Sequence, residues 1–293
     1  MTEHAMSDSS IQFLATQEEL SGHTSFRIGG PAEFFFRPAC RPELVRTIGR
    51  CRRAGLPVRV LGGGTNLLVS DSGVAGAVVA TTAVRHMSIS TRAISAECGT
   101  RIAQLVKAAA ACGLSGLEPL AGVPGTLGGA IRMNAGTGSG CIGDVIDEIT
   151  VLAPDGRLQN LRASQAGFAY RSSKLGDCIV LAARLKLQLS EPERIRRAVL
   201  ANLGAKAASQ PLREASAGCI FKNPAGDSAG RIIDSLALKG AAMGGALISP
   251  RHANFIVNTG WAASADVLAL IELVRNKVLH ATGVHLELEI DVW

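Results

Sequence analysis

Nine of the chain's 33 glycines fall between Gly116 and Gly143, where an even spread would place about three. Glycine loses more backbone freedom on ordering than any other residue, so such a run does not sit inside a helix or a strand. It predicts a loop system of tight turns and close backbone approaches. The glycines have no period of three, which excludes a collagen-like chain. A second cluster, Gly62-Gly63-Gly64, stands between the apolar runs Val58 to Leu61 and Leu67 to Val69. Three consecutive residues without side chains let backbone N–H groups converge on a phosphate, although a plain glycine hairpin has the same sequence.

Around these loops the chain reads as an ordinary globular protein. Hydrophobic residues make up 47% and charged residues 18% of 293 positions, about two domain-lengths. A β-α-β beginning is expected from a strand at Glu33 to Arg37, a helix at Pro42 to Ala54 and a strand at Val58 to Leu61. Further strands are expected near Leu67, Ala77 to Thr81 and Ile94 to Glu97. Thr100 is expected to cap a helix over Arg101 to Cys112. Strands follow at Ile149 to Ala153 and Ile179 to Leu189, then a helix at Glu193 to Ala207 and another at Ser228 to Leu238. A long helix, capped by Ser264, carries the stripe Val267, Leu268, Ile271, Val274 and Val278, and His285 to Val292 reads as a last strand.

The net charge of +6 favours anionic partners without choosing among them. Seven scattered cysteines with no C-x-x-C pair indicate neither a disulfide framework nor a metal site. Buried and inert is the ordinary expectation for Cys40, Cys51, Cys98, Cys112, Cys141 and Cys178. Met1 to Ser10 is polar and no window reaches 18 uncharged apolar residues, so a cytoplasmic protein is expected. The G-x-G-x-x-G and G-x-x-x-x-G-K-[ST] signatures are missing, which leaves the usual dinucleotide and P-loop pockets unsupported.

Several collinear motifs carry a resemblance. They are Thr24 to Gly30, Leu61 to Asp71, Leu120 to Ala130 with Asn134-Ala135-Gly136, Tyr170-Arg171-x-Ser173, and Ala217 to Pro224. Gly230-x-x-Ile233-Asp234, Leu238-Lys239-Gly240, His252 to Phe255 and Leu286-x-x-Glu289-Ile290 continue the series. From about residue 21 onward the chain resembles the UDP-N-acetylenolpyruvoylglucosamine reductases, in their shorter, type II-like form. The resemblance implies an α+β fold, with a two-part FAD-binding domain of the vanillyl-alcohol-oxidase (PCMH) type and a C-terminal α+β substrate-binding domain. The expected division is a lead-in over 1–20, the FAD domain over 21–190 (subdomains about 21–85 and 86–190), and the substrate domain over 191–293. The implied activity is NADPH-dependent, FAD-mediated reduction of an enolpyruvyl UDP-sugar to UDP-N-acetylmuramate in peptidoglycan synthesis. FAD is expected to be non-covalent. No metal, nucleic acid or membrane partner is implied, and a monomer is expected.

Carried over residue by residue, the resemblance assigns Arg171, Cys219 and Glu289 to catalysis. It assigns Arg27, Gly62, Gly63, Gly64, Thr65, Asn66, Leu67, Gly122, Val123, Pro124, Gly125, Thr126, Gly128, Gly129, Asn134, Ala135 and Gly136 to FAD. Tyr170, Lys222, Asn223, Lys239 and His252 fall to the UDP-sugar. The residue types suit the chemistry. Hydride addition to the enolpyruvyl C3 puts negative charge on C2 and its carboxylate, which calls for a cation and an acid. Cys219 departs from the Ser usual at the proton-donor position. A thiol can serve there while protonated, and a nearby Lys222 would depress its pKa. Strand alternation puts Glu287 on the same face as Glu289, so spacing alone does not separate them.

Two other functions fit parts of the sequence. A flavin oxidase of the same superfamily would tether its flavin through His or Cys near the glycine loops, and residues 61 to 71 contain neither. A basic nucleic-acid module is poorly supported, because the basic runs near Arg50 and Arg194 are short and stacking aromatics are scarce.

Overall fold

The computed structural model describes residues 16–293; positions 1–15, most of the expected lead-in, lie outside that range. The other end of the lead-in is built into the fold. Glu18–Glu19 pairs antiparallel with Pro31–Phe36, and Leu20 is fully buried. Pro31–Phe36 and Val58–Leu61 flank Val74–Ala80 as parallel partners, giving a four-stranded sheet in the order Glu18–Glu19, Pro31–Phe36, Val74–Ala80, Val58–Leu61. Val74–Ala80 is central and almost wholly buried, which explains its unbroken apolar sequence. The helix Arg41–Arg53 covers this sheet with Leu44, Ile48 and Cys51, one stripe at helical spacing.

A second, antiparallel sheet follows in the order Leu158–Arg162, Ile146–Leu152, Ile179–Lys186, Ala93–Glu97, Met87–Ser90. Its two outer strands were not expected from the sequence. Both are edge strands with mostly exposed side chains, so neither carries the apolar signal that marks a strand. The helix Ile102–Ala111 packs on this unit through Ile102, Leu105, Val106 and Ala109. Thr100 does not cap it: the N-cap position is Arg101, and the buried Thr100 hydroxyl finds no partner among the described residues.

The last unit is a three-stranded sheet of Ala242–Met243, Ala246–Ile248 and Ile256–Asn258 against the helix Ser264–Thr282. That helix buries Val267, Leu270, Ile271, Val274 and Val278, while Leu268 is exposed. Leu270 therefore takes the core place expected of Leu268, since it lies on the same helical face as Val267 and Val274. Ser264 is likewise not the cap: its hydroxyl and N–H both go to Asp71, and Asp266 accepts from Ala263 N–H.

Two features join the units. The helix Pro192–Ser209 lies on the middle unit, where Asn202 donates to the Glu118 carbonyl. The core of the last unit also takes in Phe26, Ile28 and Leu68 from the first. The expected strand from His285 is reduced to Asp291–Val292, parallel to Leu67–Leu68. Before it, the chain makes single exchanges with the Cys219 loop, Lys222 N–H to Glu287 O and Glu289 N–H to Ile220 O, both 2.8 Å. Among the six cysteines expected to be inert, Cys51 and Cys98 are buried, but Cys40 and Cys112 are exposed and Cys141 and Cys178 partly so, each near an element end or in a loop.

Candidate active site

The two glycine systems meet face to face. A side chain on Gly62 would strike Thr126 Oγ1 at 2.6 Å, and one on Gly63 would strike Gly125 Cα at 2.9 Å. Only residues without Cβ allow this approach. Gly64, at φ +60°, turns the chain beneath the His23 carbonyl. The result is a cavity of about 590 Å³ lined by Gly62 to Leu67, Val123 to Thr126, Gly129, Ala135 and Gly136 from the glycine systems. A neighbouring cavity of about 490 Å³ continues from Gly62 and Gly129 between the two sheets, past Gly128, Thr81 and Val180.

Most of the residues expected to touch the cofactor line these two cavities. Three expected residues lie elsewhere. Arg27 is exposed on a turn and lines neither cavity; the segment around it instead anchors the last unit, with Ser25 Oγ donating to Ser216 O at 2.7 Å. Gly122 is covered by Leu203 and Lys206 of the helix Pro192–Ser209. Asn134 is buried behind the cavity, where it donates to Ala169 O and accepts from Gly143 N–H. It buckles the glycine loop to the turn that carries Arg171.

That turn is closed by reciprocal backbone bonds between Ala169 and Ser172, with Tyr170 and Arg171 at its tip. Arg171 sits at φ +53°, an uncommon conformation for a residue with a side chain, which aims its guanidinium inward. Its Nε donates to Glu289 Oε1 at 2.7 Å, the two side chains being 21% and 11% exposed. Glu289 is in turn located by Asn66, which donates to its carbonyl. Glu287, two residues earlier, is exposed and pairs with Lys222 at 3.1 Å. The structure thus separates the two glutamates that strand alternation left equivalent.

Cys219 lies on a loop held by Asn254, whose buried amide accepts from Phe221 N–H and donates to Phe221 O. It lines the same cavity as Arg171, Glu289 and Lys222. Burial, reinforced by the Glu289 carboxylate, pushes the Cys219 thiol up to about 12 despite the opposing charges of Arg171 and Lys206. Lys222, the cation expected to acidify it, is engaged with Glu287. Glu289 is itself pushed above the usual carboxylate range by burial, against the pull of Arg171.

Lys206 was not foreseen from the sequence. Burial and the Arg171 charge lower its ammonium to about 8. Nothing in its local sequence marks it, because only the docking of its helix on Gly122 brings it near the site. Tyr170 is 53% exposed; Arg171 stacks on its ring and its hydroxyl accepts from Asn223 N–H. Lys239 and His252 stand apart from the cavity, Lys239 paired with Asp234 at 2.8 Å and His252 against Phe255.

The cavity fits a flavin dinucleotide. The bare backbone of Gly62 to Gly64 offers N–H groups to a diphosphate, and the buried Thr126 hydroxyl between the two loops has no hydrogen-bond partner among the described residues. Comparison with known proteins agrees. Residues 32–162 match the family model described as FAD binding domain, so the fold and the site define a flavoprotein. Residues 210–293 match the model described as UDP-N-acetylenolpyruvoylglucosamine reductase, C-terminal domain. The UDP-N-acetylenolpyruvoylglucosamine reductase of Moorella thermoacetica is 46% identical over 95% of this chain and 92% of its own length; that of Heliobacterium modesticaldum is 41% identical over 94% and 89%. The crystal structure of the Thermus caldophilus enzyme, 39% identical, superposes with a TM-score of 0.83 over 96% of this chain and all of its own. This chain belongs to the UDP-N-acetylenolpyruvoylglucosamine reductase family.

Proposed function

We propose that Arg171, Cys219 and Glu289 are the reacting groups of a flavin-dependent reductase whose substrate is an enolpyruvyl UDP-sugar. The reaction is that of the family: NADPH-dependent, FAD-mediated reduction of UDP-N-acetylglucosamine enolpyruvate to UDP-N-acetylmuramate in peptidoglycan synthesis. The observation that carries the assignment is one cavity that holds a cation, an acid and a carboxylate together at the glycine cradle.

FAD, when bound, takes a hydride from NADPH and supplies one to C3 of the enolpyruvyl group. Gly62 to Leu67, Val123 to Thr126, Gly128, Gly129, Ala135 and Gly136 are the residues that would hold it. Arg171 faces the charge that grows on the substrate carboxylate, and its planar fork suits two oxygens. Glu289 fixes that fork through Nε, leaving the other guanidinium nitrogens for substrate. Cys219 Sγ–H gives its proton to C2. A thiol at about 12 is protonated in almost every molecule at neutral pH, so the acid is in place for each turnover. Lys222 and Tyr170–Asn223 are assigned to the UDP diphosphate and sugar, with Lys239 and His252 further along the same unit.

The wider division of labour follows: a FAD unit up to about residue 190 and a substrate unit over 191–293, acting as a cytoplasmic monomer without nucleic-acid or membrane partners. No helix among the described residues is long and apolar enough to cross a membrane. The test is a flavin spectrum bleached by NADPH and restored under anaerobic conditions by the enolpyruvyl UDP-sugar alone. Failure of that substrate to restore the spectrum contradicts the reading. Acid precipitation should leave yellow flavin in the supernatant; a yellow pellet overturns non-covalent binding.

A further inference from the structure

The segment that follows Glu289 runs back along the glycine cradle. Asp291 N–H donates to Asn66 O, Trp293 N–H to Leu68 O, and Ser70 N–H to Trp293 O, at 2.8–2.9 Å. This is a strap three residues long, laid parallel to Leu67–Leu68 just beyond the triple glycine. It delivers the Trp293 indole to a particular place. Trp293 and Asp291 line both cavities, the one that holds Cys219 and the neighbouring one between the two sheets. Gly62, Gly129 and Arg132 also line both, so Trp293 stands where the two cavities meet.

The ring is also fixed from two sides. Its Nε1 donates to Asp291 Oδ2 at 3.0 Å, and the Arg59 guanidinium lies 5.4 Å from its centroid. Arg59 has no ion pair among the described residues. A flat ring and an uncompensated cation, side by side at the mouth of a cavity between two sheets, match the purine and phosphate of an ADP group. Both FAD and NADPH contain that group. The cavity opens through the glycine cradle, which favours FAD.

We propose that Trp293, held by Arg59 and Asp291, is a wall of the cofactor cavity that clamps the ADP half of FAD, so that the unit carrying Glu289 also locks the cofactor in place. The proposal rests on FAD being the cofactor of this cradle. Base–aromatic stacking of this kind is worth about ten- to a hundredfold in affinity.

The test follows FAD release from the diluted holoenzyme by the rise in flavin fluorescence. Trp293→Ala should release FAD at least about tenfold faster, Trp293→Phe should recover most of the loss, and Arg59→Met should fall between them. Trp293→Ala should lower the melting temperature of the FAD-free protein much less than that of the FAD-bound protein. The KM for NADPH at saturating FAD should move less than about twofold. Unchanged release in Trp293→Ala and Arg59→Met overturns the proposal. So does an equal loss of melting temperature with and without FAD, which makes Trp293 merely structural. A raised KM for NADPH with normal FAD release also overturns it, because the wall would then serve the nicotinamide dinucleotide. The unaltered protein, which retains FAD in the same assay, keeps failure of the clamp distinct from failure of the cofactor assignment.

Discussion

The glycine cradle and the proposed reacting cluster share one cavity but are built in opposite ways. The cradle is made of backbone, from two loops that pack because they lack side chains. The cluster is made of side chains, each carried by a different loop and each set by a polar buckle: Asn134 under the Arg171 turn, Asn254 under Cys219 and Asn66 on Glu289. On the proposed assignment, binding depends on what is absent from the sequence, and chemistry on what is positioned.

The contrast can be broken at its strongest point. Gly64→Ala places a Cβ 2.0 Å from the His23 carbonyl at a positive φ. It should abolish FAD retention and lower stability by more than about 1 kcal/mol, measured by flavin content and chemical denaturation. Gly138→Ala, where a Cβ meets nothing within 4 Å, should leave both unchanged. Equal effects at the two positions would contradict a cradle defined by close approach.

In the cluster, Arg171→Ala should leave the flavin spectrum intact and lower turnover by about 10²–10³-fold, since it removes a preorganised cation facing developing charge. A loss of FAD in this variant would blur the division between the two regions. Glu289→Gln removes the negative charge that helps to raise the Cys219 thiol. Iodoacetamide labelling of Cys219 at pH 9, read by peptide mapping, should then speed up by several-fold; an unchanged rate separates the two groups.

The smallest effect concerns Lys206. Its charge is lost above about pH 8, so the KM for the anionic enolpyruvyl substrate should rise modestly between pH 7 and 9. Lys206→Met should flatten that rise. The sign for folding is the reverse. Between about 8 and 10.5 the unfolded chain holds this proton and the folded chain does not, so Lys206 makes stability increase with pH in that window.

The cradle was legible because glycine excess is a compositional signal, and the buried strand Val74–Ala80 because it is apolar throughout. Met87–Ser90 and Leu158–Arg162 were not legible, because exposed edge strands have no reason to look hydrophobic. The caps at Thr100 and Ser264 were misjudged for a tertiary reason. Ser264 is drawn to Asp71, 193 residues away, and Thr100 is buried with no partner among the described residues. The motifs single out Arg171, Cys219 and Glu289, but nothing in them shows that the three share one cavity. Lys206 and Trp293 carry no sequence signal, because the roles proposed for them come from where a helix docks and where a strap runs.

The most direct test of the central claim is the pair of half-reactions in Cys219→Ala. NADPH should bleach the flavin at the normal rate, and reoxidation by the enolpyruvyl UDP-sugar should slow by about 10²–10⁴-fold, the usual contribution of a general acid. Normal reoxidation in that variant would show that the proton comes from elsewhere and would contradict the account.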